Sequence, residues 1–379
     1  MKKKIILFYK RLKNVGGAEN LLIKEYEFFS KNYECYIITY ENKILSKDYK
    51  VLEVSNIFHL IVKIFLINPN VIICSSGYVD LYIATLIQFK KFYTHIHQPS
   101  LMSFNETDKF AFKNLEKLKT KFDSNNIIIK NINFFLRIRK RLNIKKKIRI
   151  YLRYFISRLA IRSSKGIFVL SDYAMEEKKS LYNISNVFSL RGAIEKSDLI
   201  NNEKNKDKIK LVIVSRLDIN KRISKVIKSL NLTSNKNIIL DIYGRGEYKE
   251  HLKKLIKVLD LEDKVFLKGF LDENLKFKII SSYNYFICLD MADFRLSCFE
   301  SLKCKTPVIL TSESFPNPDF DNLKCLIYSN PDIKSLKNIF DHLNKEEQNK
   351  INWDQLKISL EKLEWSNYFR KIDEIINSN

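Results

Sequence analysis

Four short segments carry the residue types that could do chemistry, and each follows an apolar run. Val15-Gly16-Gly17-Ala18-Glu19 places paired glycines where a strand would turn into a helix. Glycine there lets backbone approach a ligand, and a helix amino terminus favours an anion, although the same pair also marks an ordinary turn. The stretch 215–221 offers Arg216, a planar fork of donors, and Lys221, a compact charge. Together they suit a diphosphate, and viewed alone they equally suit a charged surface loop. Gly244 and Gly246 flank Arg245 after a third apolar run. A strand, a polar loop from Asp290 to Ser297 and a helix carrying Glu300 then lead into Thr306-Pro307, which stops the helix before Val308 and Ile309.

The elements that position these segments alternate in period. Apolar runs at 4–9, 35–40, 71–75, 92–97, 166–171 and 187–190 read as strands. The rhythm restarts with 211–214, 238–243, 265–267, 285–289, 308–311 and 325–328. Ala18, Leu21, Leu22, Tyr26 and Phe29 recur at helical spacing between the first two runs. Strands rich in Val and Ile, alternating with helices, predict parallel sheets in doubly wound α/β domains. The polar stretch 195–208 is the best linker, and the cleft it implies is where strand carboxyl ends would meet ligand. Residues 1–200 and 205–359 are the expected domains.

Taken in order, these segments resemble glycosyltransferase family 4, whose fold is GT-B. The resemblance rests on Gly16-Gly17-Ala18-Glu19, His97-Gln98-Pro99, Arg216 with Lys221 and Gly244-Arg245-Gly246. It continues through Val265 to Gly269, Glu300 with Pro307-Val308-Ile309, and a closing helix from Trp365. That helix, over 360–379, is implied to pack back on the first domain. The resemblance implies retaining transfer of a sugar from a nucleotide-diphosphate donor to a lipid-linked or surface-polysaccharide acceptor. It implies that Arg216 and Lys221 grip the diphosphate, that Glu300 holds the ribose hydroxyls and that Lys268 borders the base. His97 would hydrogen-bond the donor sugar, and Gly16, Gly17, Gly244, Leu296 and Ser297 would complete the donor site. The departing phosphate would act as base, and no metal or other cofactor is expected. Where the family carries its first Glu this chain has Ala292, and the following glycines are Asp293 and Arg295. Asp293 is the candidate replacement carboxylate, with Asp290 as the other. A degenerate homologue serving an active enzyme is the alternative.

Composition bounds the rest. With 379 residues, 45% hydrophobic and 29% charged, the chain has ample core for two domains and is not disordered. Net charge is +24, which points to anionic partners, although Lys-rich coding from an AT-rich genome accounts for part of it. Residues 109–165 hold 18 Lys and Arg against Glu116 and Asp123, a net +16 that composition alone does not explain. Within them Ile148, Leu152, Phe155, Ile156 and Leu159 keep helical spacing, near Phe134-Phe135-Leu136. A basic amphipathic helix suits an anionic membrane surface, and the alternative is a helix packed on the first domain. Nucleic acid is disfavoured because no binding motif accompanies the charge. The six cysteines fall in apolar runs without metal spacing, as buried free thiols in a reducing compartment do. No signal peptide or span is expected, so the chain should be cytoplasmic and peripheral on the inner face of the membrane.

Overall fold

The computed structural model describes residues 2–13, 17–88, 90–96, 144–196, 198–200, 208–290, 294–312, 318–344 and 350–378. Gly16, His97, Asp293 and the basic residues of 109–143, with Phe134-Phe135-Leu136, lie outside the described residues. Among those described, 2–96, 144–191 and 368–378 form one compact unit and 192–367 another.

The first unit is built on β1 (Lys4–Phe8), β2 (Glu34–Thr39), β3 (Val51–Glu53), β4 (Val71–Cys74), β5 (Tyr93–Ile96), β6 (Gly166–Val169) and β7 (Val187–Ser189). All pair in parallel, in the order β3-β2-β1-β4-β5-β6-β7. The helices are α1 (Gly17–Asn32), α2 (Ile57–Ile67), α3 (Tyr78–Leu86), α4 (Ile144–Arg162) and α5 (Asp172–Tyr182). Leu21, Leu22, Tyr26 and Phe29 of α1 are buried at the spacing read from the sequence. Local chemistry sets the bounds of α2. Asn56 Oδ1 accepts from the His59 amide at its start, and Asn68 ends it in the left-handed conformation. The strand β3 escaped the sequence reading because it has three residues at a sheet edge and no apolar run.

The second unit repeats the plan with β8 (Ile209–Val214), β9 (Ile238–Tyr243), β10 (Val265–Gly269), β11 (Tyr285–Cys288), β12 (Val308–Thr311) and β13 (Leu326–Ser329). Their order is β10-β9-β8-β11-β12-β13, again parallel. Successive side chains serve opposite faces. Leu211 and Ile213 join one core with α6 (Ile223–Leu232), α7 (Lys249–Val258) and α11 (Ile333–His342). Val212 joins the other, with residues of α9 (Leu296–Lys303) and α12 (Trp353–Glu361). Between them in sequence come α8 (Glu273–Ile280) and the single turn α10 (Pro318–Asp321). Covering both faces is what demands continuous apolar strands.

The last helix, α13 (Trp365–Ser378), packs in the first unit from Tyr368 onward. Tyr33 Oη donates to Asp373 at 2.6 Å, and the Phe28 and Phe369 rings meet tilted with centroids 5.3 Å apart. All six cysteines are buried free thiols. Among the described residues no helix is long and apolar enough to cross a membrane. The stripe Ile148, Leu152, Phe155 and Leu159 on α4 is exposed, whereas Ala160 and Ile161 turn inward.

Candidate functional site

In each sheet the strand order reverses next to the first strand of its unit, and ligands of open α/β sheets bind at the carboxyl ends flanking such a point. In the second unit that point lies between β8 and β11. The chain leaving β8 carries Arg216 and then a 3-10 turn, Ile219–Lys221, started by Asp218, whose carboxylate accepts from the Asn220 amide. The chain leaving β11 carries Asp290. Lys221 Nζ lies 2.7 Å from Asp290 Oδ2, so the two strand ends are tied together at the reversal.

Asp290 is the hub of a partly buried cluster. Arg295 reaches it with Nε 3.7 Å from Oδ1 and donates from Nη2 to its carbonyl, and the Cys288 thiol donates to Oδ1 at 3.0 Å. Burial alone would raise the Asp290 carboxyl, but Arg295 and Lys221 outweigh it and hold the group at about 2. Arg222, in the left-handed conformation, donates to the Leu289 carbonyl at 2.9 Å and so holds the same strand end. Arg216 differs: its side chain is 85% exposed, 3.8 Å from Asp218. One cation is thus anchored and the other reaches into solvent, a pairing that can close on a polyanion from two sides.

Because the folded Asp290 lies below its ordinary 3.8, it stabilises the protein above that value and loses the contribution as pH falls toward 2. A shift of this size corresponds to on the order of 2 kcal/mol. Denaturant unfolding of Asp290→Asn between about pH 6 and 2 is expected to show a shallower acid loss than the parent. Parallel acid limbs would contradict the charge cluster.

The glycine turn shapes this loop. Gly244 has φ 150°, and a Cβ there would sit 1.8 Å from the Ser215 carbonyl oxygen. At Gly246 a Cβ would sit 2.1 Å from that of Leu217. The Gly244 amide donates to the Gly269 carbonyl at 2.7 Å, and the Leu217 amide to that of Arg245 at 2.9 Å. The two glycines therefore let β9's exit press against the segment holding Arg216, which is the reason no side chain fits. Lys268, on β10, lies 3.6 Å from Asp241 and over the Phe266 ring. Asp241 also accepts from Tyr283 Oη at 2.5 Å, and burial followed by that bond raises the Tyr283 hydroxyl.

Glu300 sits in the second turn of α9, nearly buried, with Oε1 2.9 Å from Lys276 Nζ on α8. No side chain caps α9, and like any first turn it leaves the Leu296 and Ser297 amides without a carbonyl of their own helix. The sequence reading did not find Lys276, because it lies 24 residues from Glu300 on another helix without a motif.

In the first unit the reversal falls between β1 and β4. Tyr9 Oη donates to Glu19 at 2.7 Å, and Lys10 pairs with Asp80 at 2.6 Å. Gly17 is exposed at the start of α1, where a Cβ would meet nothing within 4 Å. His95 is a core residue. Its Nδ1 is 2.9 Å from Glu25 and its Nε2 2.8 Å from Tyr368 Oη, all buried, so it joins α1, β5 and α13.

Residues 194–355 match the family model described as glycosyl transferases group 1, a stretch that contains every second-unit residue named here. Over 180 residues the chain is 26% identical to a Staphylococcus aureus poly(ribitol-phosphate) alpha-N-acetylglucosaminyltransferase. Over 174 residues it is 30% identical to a Campylobacter jejuni N-acetylgalactosamine-N,N'-diacetylbacillosaminyl-diphospho-undecaprenol 4-alpha-N-acetylgalactosaminyltransferase. These alignments cover 45% and 42% of this chain, and only 35% and 47% of the two relatives. Among solved structures, Anabaena HepE in complex with UDP is similar over 99% of this chain and 100% of its own, with TM-score 0.72 and 14% identity. The fold is that of GT-B glycosyltransferases.

Proposed function

We propose that this protein is a retaining glycosyltransferase that moves a sugar from a nucleotide-diphosphate donor to a lipid-linked or surface-polysaccharide acceptor. The observation that carries the reading is the Lys221–Asp290 tie at the β8/β11 reversal, with exposed Arg216 beside it, inside the segment that matches the glycosyl transferase model. The names of the two relatives support a glycan acceptor, one a polyol phosphate polymer and the other a lipid diphosphate.

In this reading the second unit holds the nucleotide of the donor and the first takes the acceptor. The bond from the anomeric carbon to phosphate oxygen breaks as the bond to the acceptor hydroxyl oxygen forms on the same face. The acceptor proton passes to the departing phosphate. Negative charge therefore grows on the diphosphate, and Arg216, Lys221 and the first-turn amides of α9 are preorganised to receive it. Glu300 meets the ribose hydroxyls, Lys268 lies beside the base, Gly17 leaves room for the donor at the first strand end, and His97 bonds a sugar hydroxyl. Two cations at the diphosphate supply the neutralisation that a metal would otherwise bring, so the reaction is proposed to run without one.

Asp293 is proposed to supply the carboxylate absent at Ala292. Asp293→Asn should lower transfer at least ~10-fold and leave donor affinity unchanged, because an amide keeps one acceptor oxygen but loses the charge. Parental transfer by the variant would place that carboxylate elsewhere. Retention is tested by the anomeric configuration of the product from a donor of known configuration. An inverted linkage would overturn that part of the reading.

A further inference from the structure

The crossovers from β3 to β4, β4 to β5 and β5 to β6 place α2, α3 and α4 in a row on one face of the first sheet, with α3 packed against both neighbours. A helix that is apolar all round is ordinarily buried. The helix α2 reads Ile-Phe-His-Leu-Ile-Val-Lys-Ile-Phe-Leu-Ile, yet only Leu60, Ile64 and Ile67 are buried, with Ile61 partly buried against the same core. Phe58 is 72% exposed, Phe65 70% and Leu66 67%. Leu86 at the end of α3 and Leu152 and Phe155 on α4 are exposed as well.

The charge on these helices is one-sided. Seven Lys and Arg and no carboxylate lie on α4, and Lys63 lies on α2. The single acid on the three helices is Asp80, which is already paired with Lys10. Exposed Arg162 follows Leu159 by three residues, so cation and apolar stripe share a face.

We propose that the outward face of α2, α3 and α4 docks on an anionic lipid bilayer, its aromatic and Leu side chains entering the headgroup boundary while Arg158 and Arg162 of α4 meet lipid phosphates. An apolar patch spread over three helices marks an interaction surface, and aromatic side chains among basic ones are the pattern of an interfacial contact. A second copy of this chain is disfavoured as occupant, because it would bring the same excess of cations against this one. The proposal extends the membrane-linked acceptor reading to residues outside 109–165, and it places α2 as the principal insertion.

The test uses the full chain and vesicles of phosphatidylcholine alone or mixed with phosphatidylglycerol. Phe58→Ser, Phe65→Ser and Phe155→Ser are combined, all being exposed and outside the donor site. The parent should sediment with the mixed vesicles and keep part of its binding in high salt. The triple variant should lose binding at least ~10-fold and release completely in salt, with unchanged thermal unfolding and nucleotide binding. Equal binding of parent and variant would overturn the proposal, as the charge would then suffice. A variant that unfolds at lower temperature would show that these side chains pack within the folded chain and would overturn the proposal, as would a parent dimer made monomeric, which would show a second copy there. Vesicle binding by a parent that binds no nucleotide would remove the transferase reading and leave this one standing.

Discussion

Arg216→Ala and Lys221→Ala should each lower sugar transfer by roughly 10²–10³ while the second unit stays folded. The effect is large because the charge these cations meet develops fully only as the diphosphate departs, so their removal is felt in turnover more than in donor affinity. The two variants should differ in stability. The Arg216 side chain is 85% exposed, and its loss costs no packing. Removing Lys221 takes one of two cations from a buried carboxylate that Arg295 still holds, so unfolding should shift modestly and the Asp290 carboxyl should rise from about 2. Steady-state transfer with saturating donor checks the first statement, and urea unfolding the second. Near-parental turnover in both variants would contradict the diphosphate assignment.

Glu300→Ala is expected to abolish donor binding and also to destabilise the second unit by about 3–5 kcal/mol, because it leaves a nearly buried Lys276 ammonium without its carboxylate. The two effects separate in Lys276→Met. That variant removes the opposing charge but keeps the aliphatic stem, and the Glu300 carboxylate remains available to ribose hydroxyls. If Glu300 serves the nucleotide, Lys276→Met should retain a large part of the donor affinity that Glu300→Ala loses. If the pair is purely structural, both variants should lose affinity only in proportion to stability. Calorimetric titration with nucleoside diphosphate, at a temperature where both remain folded, distinguishes these results.

The strands and the doubly wound plan were legible because parallel strands covered on both faces must be apolar throughout, and each of those runs stands out from its polar flanks. The edge strand β3 lacked that signal. Arg216 and Lys221 could be read as a cation pair, but their setting could not. Strand order is a tertiary fact, and only the neighbouring of β8 and β11 brings Asp290, 69 residues away, to Lys221. Lys276 stayed hidden for the same reason, since it acts through Glu300 on another helix. His95 and His97 are two residues apart, and the resemblance favours His97 because it stands two positions before Pro99. The structure puts His95 in the core between Glu25 and Tyr368. The stripe on α4 was visible as helical periodicity, which says that one face is apolar but not what covers it. On α2 there was no periodicity to read, since its outward residues are as apolar as its inward ones.

The central claim is that the β8/β11 reversal of the second unit binds a nucleoside diphosphate through Arg216 and Lys221. It is tested most directly by calorimetric titration of the parent and the Arg216→Ala/Lys221→Ala variant with nucleoside diphosphates of each base. The account predicts saturable binding of at least one of them to the parent, and a loss of at least ~10-fold in the variant at equal folding. Binding of equal strength in both, or none by the parent with any base, would contradict it.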